Sequence, residues 1–160
     1  MSSKKKETSI YGNVEKLTQI DAVHGNVIIN KSSSNASDLL ERGKKLINAQ
    51  AYSQASKLFE KAIELTPDSA IAYYYLSLAL LGGKRPKLLE LATVKNIENN
   101  LRTATKLQAN LGGAYVLWAL LKYDFYVLNG MFDRPPSYQN LLQQKWSLNQ
   151  LHAEEILTHV

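Results

Sequence analysis

The feature that most constrains this chain is an internal period. A shift of 34 residues lays Leu39 on Tyr73, Gly43 on Ser77 and Leu46 on Leu80. Within each copy the apolar residues fall three and four apart, the spacing of one face of a helix. A second helix follows in the first copy, with Ala55, Phe59, Ala62 and Leu65, and Thr66-Pro67 closes it. Proline disfavours helical backbone at the residue before it, so Pro67-Asp68-Ser69 ends one helix and begins the next. The same spacing returns as Ile97, Leu101, Ala104 and Leu107, displaced by 42 residues instead of 34. An insertion of eight residues, placed around Gly82-Gly83-Lys84-Arg85-Pro86-Lys87, accounts for the difference. A period of this length marks stacked units that cannot bury their apolar faces singly.

A third unit begins near Gly112-Gly113, with Tyr115, Trp118 and Ala119 on its first helix. That helix is predicted to run to about Leu128, with Gly130 as its C-cap. Asp133-Arg134-Pro135-Pro136 reads as a loop. Ser137 caps a helix through Trp146, and Asn149–His159 forms a last helix that closes the stack. Ser37 is the expected N-cap of the first helix.

The run Ala55, Phe59, Ala62, Leu65, Pro67 resembles the tetratricopeptide repeat: a small residue, an aromatic four on, a small residue three on, and a proline after the turn. The resemblance is strongest over Ser37–Asp68 and fades through the second and third units. It implies an all-α, right-handed antiparallel helix-pair solenoid of about three units. It also implies a groove lined by the first helix of each pair, suited to a helix or an extended peptide with apolar anchors. The residues that fall there are Leu40, Lys44, Ile47, Ile71, Tyr74 and Leu78; the competing reading makes Tyr74 and Leu78 core, covered by the next helix or by the chain's own ends. Some members of that family grip a C-terminal carboxylate with Lys and Asn. The matching positions here hold Leu40, Lys44 and Tyr75, and only the lysine fits, so no clamp is expected. The Lys84, Arg85 and Lys87 insertion is a second possible contact, or a solvated connector.

The chain divides into a segment 1–36 and a helical domain 37–160. The first segment is β-prone or disordered. Gly12-Asn13-Val14 recurs there as Gly25-Asn26-Val27, and Gly and Asn permit the positive φ of tight turns. The segment could dock as a hairpin, order on a partner, or stack with copies of itself. In the last case it resembles the signalling-amyloid motifs found at the ends of some bacterial immune receptors and effectors, which makes a self-assembling scaffold the second functional reading and a homo-oligomer one possible state.

Several classes are disfavoured. The net charge of +5 is mild, and Lys and Arg form no single stripe, so nucleic acid is disfavoured as a partner and a nucleic-acid-associated protein stands as the third functional reading. There is no cysteine, no apolar leader after Lys4-Lys5-Lys6 and no apolar run of the ~18 residues a bilayer requires; the expectation is a cytoplasmic protein with no membrane partner. No phosphate loop, dinucleotide fingerprint or serine elbow is present. His24, His152 and His159 lack the carboxylate company of a metal site. Glu154 and Glu155 read as a solvated face, and Asp124 as a group that faces water or pairs with a neighbour. The sequence therefore predicts a non-catalytic adaptor that holds a peptide or protein partner and needs no cofactor.

Overall fold

A computed structural model describes residues 35–144 and 147–160. The six Gly-Asn-Val positions at 12–14 and 25–27 lie outside them. Among the described residues the chain is all-helical, with no strand, and they fall within the compact unit that runs from Ala36 to Val160, save for Asn35.

The first helix, α1, covers residues 35–48. Ser37 lies inside it and is not its N-cap, because the chain is already helical two residues earlier. Its Gly43 faces the Phe59 ring so closely that a Cβ would collide with it. The small residue is what lets α1 approach α2 (Tyr52–Leu65). Only Ala55, Phe59 and Ala62 of α2 are buried, at intervals of four and three, so this helix covers its neighbours with one stripe and gives the rest to solvent. Thr66 ends α2, and α3 (Ala70–Leu81) begins directly after Ser69.

α3 is of another kind. Nine of its twelve residues are buried. Its sequence, AIAYYYLSLALL, offers no polar face, so neighbours must enclose it. It packs against α2, against α4 (Leu91–Leu107) and against α7 (Gln150–His159). The insertion between α3 and α4 starts with Gly82 and Gly83, both at positive φ, and continues into a short 3₁₀ turn at Pro86–Leu88. α4 packs in turn on α5 (Gly112–Lys122), which widens into a π turn over Tyr123–Val127. Gly130 follows in the left-handed conformation.

α6 (Tyr138–Leu142) is capped by Ser137, whose Oγ accepts from the Asn140 amide at 3.3 Å. It is shorter than the helix through Trp146 that the sequence suggests. Leu141 is its single buried residue, so little holds a longer helix down. Residues 145–146 lie outside the description. α7 is capped by Asn149, whose Oδ1 accepts from the His152 amide at 2.8 Å. Consecutive helices are thus spatial neighbours from α2 to α6, while α7 folds back onto α3 and α5. No described helix is long and apolar enough to cross a membrane.

Candidate functional site

The six residues expected to line a groove divide sharply. Lys44, Leu40 and Ile71 are partly exposed. Ile47, Tyr74 and Leu78 are not: Tyr74 and Leu78 are sealed completely and Ile47 nearly so. The open groove expected at Tyr74 and Leu78 is therefore corrected. The chain's own α7 lies over α3 at Tyr74, and Leu78 is core. The physical reason is α3 itself, whose exposed apolar side would otherwise face water.

Polar groups fix α7 in place. The Tyr75 hydroxyl donates to Glu155 Oε1 at 2.7 Å, and the Tyr74 hydroxyl to Oε2 at a longer 3.4 Å. Glu155 is thus a half-buried acceptor, not the solvated residue the sequence suggests. Burial pushes its carboxyl above the ordinary carboxylate value, while the two tyrosine bonds, Lys44 and His159 pull it back down. Burial likewise pushes both tyrosine hydroxyls far upward, so they remain donors throughout the neutral range.

Histidines complete the contact. His152 stacks at a tilt on Tyr74, with ring centroids 4.8 Å apart. Its ring also stands where a Cβ on Gly113 would be, which is why α5 opens on glycine. His152 Nδ1 is buried and has no hydrogen-bond partner among the described residues. At the far end of α7, His159 Nδ1 meets the Tyr52 hydroxyl at 3.1 Å. Burial holds both imidazoles below their usual range; Lys44 adds to the effect at His152, and Glu155 opposes it at His159.

Lys44 joins this cluster from α1. Its ammonium pairs with Glu41 at 2.9 Å and lies 5.0 Å from the centre of the Tyr75 ring. The face therefore brings Lys44, Tyr74 and Tyr75 together with two residues the sequence reading set aside, His152 and Glu155. The available signal was the uniform apolarity of α3, which leaves no open side to a groove.

The insertion is built into the fold as well. The Arg85 guanidinium pairs with Asp124, and the Lys87 amide donates to Asp124 Oδ2 at 2.9 Å. Asp124 thus pairs with a neighbour, one of the two options the sequence left. Lys84 and Lys87 keep exposed side chains. Neither a scan of protein-family models nor a search of curated proteins finds a match to this chain.

Proposed function

We propose that the chain is a non-catalytic adaptor of the tetratricopeptide type whose inner face receives a helix, and that α7 is the resident occupant of that face. One observation carries the reading: a short helix of the same chain lies across α3 and α5, which hold the first-helix positions of the second and third sequence units, and is held by side chains of α2 and α3. A surface that accepts one amphipathic helix has the chemistry to accept another with a comparable face. The resident is weakly suited to permanence. It turns His152, Glu155 and His159 inward, with Ile156 as its one buried large apolar residue, and polar groups removed from water cost free energy even when bonded. A partner helix with leucine or phenylalanine at those positions would bind more strongly.

The test uses α7 as its own probe. Ile156→Asp is expected to free α7 while leaving the rest folded. A fluorescent peptide of residues 149–160 should then bind this variant in trans and leave the wild type untouched. A folded variant, checked by circular dichroism, that ignores the peptide would remove the helix-receiving face.

A further inference from the structure

A second surface, formed by other residues than the inner face, is open. Leu91, Lys95, Glu98 and Arg102 lie four, three and four residues apart on α4 and so share one side of it. Facing them is the loop 131–136. The cleft between has a volume of about 540 Å³. Its floor is occupied by mutually satisfied polar groups. Glu98 accepts from the Tyr126 hydroxyl at 2.8 Å, from Trp118 Nε1 at 3.3 Å and from Lys122 Nζ at 3.4 Å. Lys122 is buried, pairs with Asp133 at 2.8 Å and donates to the Arg134 carbonyl at 2.9 Å. A buried cation bonded on both sides ties the loop to the helices, so the cleft is formed before anything enters it.

The rim differs from the floor. Lys95, Arg102 and Arg134 are exposed, and none forms an ion pair with a carboxylate among the described residues. Between them stand apolar side chains open to water: Phe132 is 79% exposed, with Met131 and Leu91 beside it in the lining. Aromatic and arginine side chains around a shaped depression are the composition of interface hot spots.

The geometry points to an acidic peptide segment with an aromatic or aliphatic anchor as the occupant of this cleft. The anchor lies against Phe132, Met131 and Leu91. Flanking carboxylates meet Lys95, Arg102 and Arg134, which have no acidic partner among the described residues. An inorganic anion would leave the apolar wall uncovered. A single-stranded nucleic acid could stack on Phe132, but Lys95, Arg102 and Arg134 ring one short depression and form no extended basic groove for successive phosphates to follow.

The probe is a fluorescein-labelled peptide alternating Glu with Leu and Phe, titrated with the full chain and followed by anisotropy. Saturable binding is expected, weakened by added salt. The double substitution Arg102→Glu with Arg134→Glu should weaken it about tenfold or more, and Phe132→Ala about fivefold. All three positions are exposed, so folding should be preserved. Lys84→Glu with Lys87→Glu reverses the same charge elsewhere and should change nothing. Ile156→Asp, which tests the inner face, should also leave this binding intact, so the two readings fail separately. Absence of saturable binding, equal losses from the Lys84/Lys87 reversal, or tighter binding of an oligothymidine than of the peptide would each overturn the proposal.

Discussion

α2 and α3 are adjacent helices of similar length with opposite environments. α2 buries a stripe of Ala55, Phe59 and Ala62 and shows the rest to water. α3 buries nine of its twelve residues, including Ser77, whose hydroxyl is returned to the Tyr73 carbonyl at 2.8 Å. An amphipathic helix needs a neighbour on one side, whereas a helix apolar all round needs neighbours on every side. The contrast teaches why a helix beyond α6 returns to α3. Cover on the remaining side of α3 is favourable, and here α7 supplies it.

The largest expected effect separates the two helices directly. Leu78→Ala in α3 should lower unfolding free energy by about 3 kcal/mol, as a fully enclosed leucine leaves a cavity that its neighbours cannot fill. Lys57→Ala on the open side of α2 should stay within about 0.5 kcal/mol. Urea unfolding of both variants checks the pair. Equal losses would break the comparison.

A smaller effect sharpens it at the α3–α7 contact. Tyr75→Phe removes the shorter donor to Glu155 and should cost about 1 kcal/mol, read as faster amide exchange in α7 with little change elsewhere.

The same contact carries a pH dependence. His152 and His159 sit below the ordinary 6.5 when α7 is docked, so the undocked state binds more protons as pH falls through that value. Docking should therefore weaken on acidification from neutral pH. Glu155 acts in the opposite sense. Its carboxyl is raised above 4.5 in the docked state and takes up a proton there first, so the weakening should level off toward the carboxylate range. Tyr74 and Tyr75, raised by burial, stay donors across this range; Tyr52 and Lys44 face the same cluster. Amide exchange in α7 followed from neutral to mildly acid pH checks the sign. Slower exchange on initial acidification would contradict it.

Much of the helical order was legible because it rests on local spacing. The Ala55-Phe59-Ala62 stripe, the turn at Pro67, the cap at Ser137 and the left-handed Gly130 all follow from residues close in sequence. The cluster on α7 was not legible for the opposite reason. Tyr75 and Glu155 are separated by most of the helical domain, and nothing within α7 says that its Glu and His face inward. The α3 sequence came nearest to revealing it, since six consecutive residues from Tyr74 to Ala79 are buried. Counting those residues as one continuous apolar surface, instead of choosing a groove face among them, would have predicted the cover. Lys122 was likewise hidden. Nothing local marks a lysine within an apolar helix as buried, and only tertiary contact supplies its two carboxylates.

The π turn at Tyr123–Val127 has a consequence of its own. Leu128 donates to the Tyr123 carbonyl at 3.1 Å across this wider loop of backbone, which holds one amino acid more than an ordinary α turn. That surplus lets Asp124 point toward Arg85 while Tyr126 points toward Glu98. Loss of a single codon there would restore regular pitch and remove the surplus residue that sets Asp124 and Tyr126 in their separate directions. The anchoring of the insertion and the wall of the cleft would then be disturbed together, although they lie on different flanks and share no atom.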